Sequence, residues 1–301
     1  MGHNHAHNHS RDFSAAFAIG IALNTVYVLF EVIFGLMGHS LALLADAGHN
    51  LSDVLGLLLA WGASAMAKSA PTKRHTYGLR GSSILAALFN AIFLLVSVGA
   101  IVWEALRRFN APANVAAKTI IWVSLIGIAI NTGTALMFRS GRERDLNIRG
   151  AFLHMAADAA ISAGVVIAGF AILWTGRSWI DPVVSLVISA VIVWGTWDLL
   201  RESTNLALQA VPKNIETEKV EHYLAQLPGV ARVHDLHIWA MSTTETALTV
   251  HLVKPDGNID DGLLARVCAD LQDRFHIGHV TIQLECGSDI HPCKQAADHA
   301  V

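Results

Sequence analysis

In the stretch LLADAGHNLSDVLGLLLAWG, residues 43–62, Asp46, His49 and Asp53 stand among leucines and alanines. His49 and Asp53 are four residues apart, and the same spacing returns at His154 and Asp158 within LHMAADAAISAGVVIAGF, residues 153–170. On a helix, positions i and i+4 share a face one turn apart. A carboxylate held inside an apolar span costs roughly 2.5–3.5 kcal/mol on insertion scales, so each needs a compensating partner. Two imidazole nitrogens and two carboxylate oxygens form a full tetrahedral set for Zn²⁺, with bonds of about 2.0–2.2 Å. One ion bridging two helices would neutralise both carboxylates together. The spacing leaves two alternatives open: the residues glue helices to one another, or a His–Asp pair relays protons without metal. Asp46 supports the ligands or stands where the ion enters, or is simply a carboxylate near the start of its helix. Asn24 and Glu31, seven residues apart, together with Asn90 and Asn131, either line a cation path or hydrogen-bond between helices.

The elements that must position these residues are legible in the composition. Of 301 residues, 53% are hydrophobic and 15% charged, against about 25% charge in soluble chains. Apolar runs long enough for a bilayer core of about 30 Å fall at 14–37, 41–67, 81–107, 115–138, 148–174 and 180–208, predicting six membrane helices. GHS, SAPTKRHTYG, RRFNAPAN, RSGRERDLN and TGRSW separate them. Lys68, Lys73, Arg74, Arg80, Arg139, Arg142, Arg144 and Arg149 lie in the second and fourth connections, against Arg107, Arg108, Lys118 and Arg177 in the others. The positive-inside rule then places both termini in the cytoplasm. Trp103, Trp174 and Trp179 fall near helix ends, at interfacial depth. The net charge of −3 gives no footprint for nucleic acid. No signal-peptide cleavage site follows the first apolar run, and Ala6 breaks the myristoylation pattern at Gly2.

After Pro212 the composition becomes that of a soluble domain with the order α-β-β-α-β, compatible with a small ferredoxin-like α+β fold. The divisions are a His-rich leader over 1–13, a helical domain over 14–208, a cytoplasmic domain over 209–290 and a tail over 291–301. His251 has the opposite parity to Leu248, Val250 and Leu252, and Glu285 the opposite parity to Val280, Ile282 and Leu284. Both should emerge on the helix-free face of the sheet. Cys286, His291 and Cys293 are candidates to complete a site from the tail, though their C-x6-C spacing is wider than the usual zinc hook. The three cysteines form no disulfide framework, and Cys268, among apolar neighbours, is expected in the core. His3, His5, His7 and His9 form a tract that collects metal or is the remnant of a tag. His237, His276 and His279 are reserve candidates, whereas His222 reads as a solvated helix position.

SLALLADAGHNLSDV (40–54), KRHTYGLRGSSILAALFNA (73–91), HMAADAAIS (154–162), DPVVSLVIS (181–189) and VHDLHIWA (233–240) together resemble the cation diffusion facilitator family, in its bacterial zinc and cadmium exporter branch. The resemblance spans nearly the whole chain. It implies a homodimeric metal/proton antiporter of six helices per subunit with a cytoplasmic metal-binding domain. It also implies transport ligands on the second and fifth helices, here His49, Asp53, His154 and Asp158; histidine on both is similar to the zinc-preferring kind. His234, His251 and Glu285 resemble the family's cytoplasmic zinc site, with Gln283 where some relatives carry a further His. Of a loop site between the second and third helices only His75 is matched, because Thr72 and Leu79 replace its other ligands, so that site is expected to be weak or absent. Neutral imidazole ligates metal and titrates near pH 6.5, so Zn²⁺ and H⁺ compete for the same atoms. The expected function is Zn²⁺/H⁺ antiport across the inner membrane by alternating access. Carriage of Cd²⁺, Co²⁺, Ni²⁺ or Fe²⁺, or a metal sensor that does not transport, are the alternatives. No HExxH or GxSxG occurs, which argues against a membrane protease.

Overall fold

The computed structural model describes residues 14–67, 70–111, 113–139, 146–256, 261–287, 293 and 295. The leader histidines, Lys68, Arg142, Arg144 and His291 lie outside the described residues. Six long helices come first: α1 Ser14–Met37, α2 Leu41–Ala67, α3 Ser82–Asn110, α4 Ala117–Phe138, α5 Leu146–Thr175 and α6 Ile180–Ala207. Among the described residues five of them, all but α2, are long and apolar enough to cross a membrane. α2 has 27 residues, about 40 Å of helix, and carries Asp46, His49 and Asp53. Its first seven residues are buried apart from Leu44, which is half-buried. Exposed Val26, Leu29, Ile33, Trp103, Trp122 and Trp174 give the neighbouring helices apolar outer faces.

The chain divides into two compact units, Met1–Leu58 with Asn90–Asp198, and Leu59–Phe89 with Leu199–Val301. The first unit is built around Tyr27, Leu43, Leu94, Val98, Ile120, Val165, Ile172 and Ile188. Here α4 packs along α5 and α1 along α4. Gly169 lets α5 approach α4, since a Cβ there would sit 2.7 Å from Ile121. The turn between α1 and α2 closes on a left-handed residue. Ser40 N–H donates to Gly35 and His39 N–H to Leu36, with His39 at φ 52°. This is the Schellman arrangement, with His39 where glycine is usual.

In the second unit α7 (Thr217–Ala225), β1 (Arg232–Ala240), β2 (Thr246–Val253), α8 (Asp261–Phe275) and β3 (His279–Glu285) follow the α-β-β-α-β order. β2 is central, antiparallel to β1 and parallel to β3. Val220 and Leu224 of α7 and Val267 and Leu271 of α8 pack with Leu248, Val250 and Leu252 of β2. The Tyr223 hydroxyl donates to Asp270 over 2.6 Å, joining the two helices. Its burial, and this acceptor, push the phenol up to about 12. Cys268 is exposed, contrary to the expectation of a core position. The inward stripe of α8 runs through Val267 and Leu271, four apart, and position 268 turns about 100° away from it.

Candidate functional site

The two His–Asp motifs meet side chain to side chain. His49 Nε2 lies 3.7 Å from Asp53 Oδ2 on its own helix and 3.4 Å from Asp158 Oδ1 across on α5. His154 Nε2 lies 3.3 Å from Asp53 Oδ2 and 3.6 Å from Asp158 Oδ2. The imidazoles stand edge to face with centroids 6.0 Å apart. His49, Asp53 and Asp158 each place one donor atom within 4.8 Å of the others. These separations exceed a hydrogen bond of about 2.7–3.2 Å. Two of them, 3.3 and 3.4 Å, match the tetrahedral edge of about 3.3–3.4 Å that bonds of about 2.0–2.1 Å to a central zinc imply, while His154 stands beside the three-residue group and not within it. Asp158 is buried, whereas the His154 and Asp53 side chains are 40% and 32% exposed. One flank of the donor set is therefore open.

The local sequence explains this arrangement. Helical spacing stacks each His over its Asp, and α5 runs against α2, so that His49 faces Asp158 while Asp53 faces His154. The same register brings Ser162 to Asp46, where its hydroxyl donates over 3.2 Å. Asp46 and Glu31 are fully buried, and the Asn50 amide donates to Glu31 over 2.9 Å. Asn24 reaches Met155 of α5 at 3.5 Å, and Asn90 accepts from Ser52 at 3.3 Å.

The sequence reading passed over Asp181 as a working residue. This buried carboxylate at the start of α6 accepts from the Ser40 hydroxyl at 2.6 Å and from the backbone N–H groups of Leu41 and Ala42 at 2.7 and 3.3 Å. It caps α2 from another helix, satisfying orphan donors of the first turn. Arg108 of α3 lies 3.6 Å from the same carboxylate and also donates to the His39 carbonyl. The only sequence signal was an Asp next to Pro at a helix start, which does not reveal a partner 140 residues away.

A second constellation lies on the sheet. His234 and His251 pair directly across β1 and β2, and His251 is in register with Gln283 of β3, two residues before Glu285. Cross-strand partners share a face. His234 Nε2 lies 3.1 Å from Glu285 Oε2, His251 Nδ1 lies 2.9 Å from Glu285 Oε1, and Cys293 Sγ lies 3.5 Å from His251 Nδ1. These four residues form one donor group. Burial works to raise the Glu285 pKa, but hydrogen bonds from Cys293, His234 and Gln283 outweigh it and hold the carboxyl below its usual range. His234 Nδ1 sits 3.2 Å from the Gln295 carbonyl, which holds the ring from its other side.

Asp235 also escaped the sequence reading. It lies in a β-bulge at φ 51°, 3.4 Å from His251 Nε2 and 2.9 Å from His237 Nε2. Cys286 is exposed and outside the group, because the residue after Glu285 faces away from it. His75 is exposed in its loop and belongs to no donor group among the described residues. His279 packs edge-on against Tyr77.

A bundle of long apolar helices with paired imidazoles and carboxylates in its interior, joined to a small α+β domain with its own donor group, defines a membrane carrier of metal cations. The chain belongs to the cation efflux family, also called cation diffusion facilitators. Residues 17–206 match the cation efflux transmembrane domain, and residues 212–286 match the cation efflux protein cytoplasmic domain. The chain is similar to the metal cation efflux system protein CzcD of Cupriavidus metallidurans, with 36% identity over 98% of this chain and 93% of that one. It is similar to the zinc transporter ZitB of Escherichia coli, with 35% identity over 91% and 89%. It is also similar to a cadmium, cobalt and zinc/H⁺-K⁺ antiporter of Bacillus velezensis, with 33% identity over 97% and 94%. The protein is a divalent cation efflux transporter, multi-pass, with a cytoplasmic C-terminal domain, and it is not an enzyme.

Proposed function

We propose that this protein exports Zn²⁺ from the cytoplasm in exchange for protons, as a homodimer in the inner membrane with both termini cytoplasmic. Residues 14–208 form the carrier, and residues 209–290 bind metal on the cytoplasmic side. The single observation that carries the reading is the donor group of His49, Asp53 and Asp158 on two helices, with His154 3.3 and 3.6 Å from the same two carboxylates. Two carboxylates cancel the charge of a divalent ion, and two imidazoles favour zinc over purely oxygen-seeking cations. Imidazole must give up a proton to ligate, so loading on one side and protonation on the other make a cycle. The antiporter named above exchanges cadmium, cobalt and zinc for protons and potassium, which supports the same logic here. His234, His251, Glu285 and Cys293 hold zinc in the cytoplasmic domain. The test is uptake into proteoliposomes with a metal-sensitive dye, a panel of divalent metals and an imposed pH gradient. Zinc accumulating fastest, and only with the gradient, is the expected result. Metal binding without movement would leave a sensor, and fastest uptake of another metal would reassign the substrate.

A further inference from the structure

Between the proposed ion site and the first turn of α2 lies a second, smaller polar centre that contains no histidine. Glu31 of α1 and Asp46 of α2 are both fully buried. Asp46 precedes His49 by three residues, about 4.5 Å along the helix. Asn50 donates to Glu31 Oε2 and Ser162 to Asp46 Oδ2, and both donors are neutral. Glu31 Oε1 and Asp46 Oδ1 are buried without a donor. The Tyr27 hydroxyl, beside Glu31 and Ser162, is 1% exposed and equally unpartnered. Its position depends on Gly127 of α4, where a Cβ would meet that oxygen at 2.0 Å. The titratable groups facing the pair are Tyr27, His49 and Asp158.

Two buried carboxyls supplied only by neutral donors are an expensive arrangement if both are charged. A divalent ion would want more ligands than this oxygen-only enclosure provides. A single proton meets the need: it removes one charge and turns that carboxyl into a donor for the other. We infer that Glu31 and Asp46 together bind one exchanged proton, at a site separate from the metal ligands. The inference rests on the metal/proton exchange proposed above. A proton enters, sits on one carboxyl of the pair and leaves as the cycle turns, with no other bond made or broken.

The test uses full-length protein in proteoliposomes with the membrane potential clamped by potassium and valinomycin. Glu31→Gln and Asp46→Asn keep the shape of a protonated carboxyl. Each coupled proton multiplies the accumulation ratio by about ten per pH unit, the equivalent of about 1.36 kcal/mol. Each variant is expected to keep zinc-for-zinc exchange at equal pH, which also reports folding, and to lose one such factor from gradient-driven accumulation. The double variant should lose no more than either single one, since the pair holds one proton. Wild-type protein that ignores the gradient overturns the exchange reading and this inference with it. If the wild type responds and the variants accumulate zinc equally well, the inference alone fails. It fails also if zinc-for-zinc exchange disappears with them, because the pair would then belong to the metal path.

Discussion

Asp53 and Asp158 show how much one atom's surroundings decide. Both close the same His-x-x-x-Asp motif, yet Asp158 is buried and Asp53 is a third exposed. Asp53→Ala or Asp158→Ala should abolish zinc uptake while leaving the protein inserted, because insertion depends on the apolar faces and transport on the donor count. Immunodetection in membranes together with vesicle uptake checks both halves. His49→Asp adds a hard oxygen donor and a negative charge in place of a nitrogen. Zinc uptake should fall by about tenfold or more, a change of about 1.4 kcal/mol or more, with manganese gaining relative to it in a competition assay. Both His–Asp pairs were legible in the sequence because helical periodicity is local. Asp235 was not, since its role comes from a left-handed bulge that turns it toward two histidines.

At the scale of elements, the start of α2 depends on α6. Asp181 supplies the acceptors that the first turn of α2 lacks, and it faces Arg108, a cation that is itself only 11% exposed. Removing one partner of such a pair typically costs about 3–5 kcal/mol. Asp181→Ala should therefore lower the melting temperature in detergent and cut transport severely with all four metal-site residues intact. Asp181→Asn, which keeps an acceptor oxygen, should recover part of both. Equal stability of the Ala variant and the wild type would remove the cap from the account. The helices themselves were readable from their apolar lengths, and their observed ends differ from the expected ones by at most three residues. Cys268 was misread because an amphipathic stripe is narrower than a run of apolar letters suggests.

For the whole molecule, metal occupancy and folding are linked. The cytoplasmic donor group draws on β1, β2, β3 and residue 293, so an ion there binds the folded domain and not the unfolded chain. Free zinc at about 1,000 times its dissociation constant adds about 4.1 kcal/mol to stability. With Asp158→Ala silencing the membrane site, chelation of the full-length protein should still lower the domain's melting temperature. His234→Ala should erase most of that difference. A chelator effect undiminished by His234→Ala would move the stabilising ion elsewhere. Among the tail residues, Cys293 and not Cys286 joins the group, and sequence spacing could not choose between them because both lie within reach of the sheet edge.

The sequence by itself determined what periodicity and composition can carry: the long helices, the α-β-β-α-β order, and which residues share a helix face or a strand face. Helix and strand repeats are properties of a few neighbouring residues, so a one-dimensional string contains them. Only the tertiary structure decided which faces meet. It set the antiparallel register that opposes His49 to Asp158 and Asp53 to His154, the reach of Asp181 to the start of α2, and the burial of Glu31 beside Asp46. Those pairings join residues far apart in the chain through packing, and packing is a property of the folded whole.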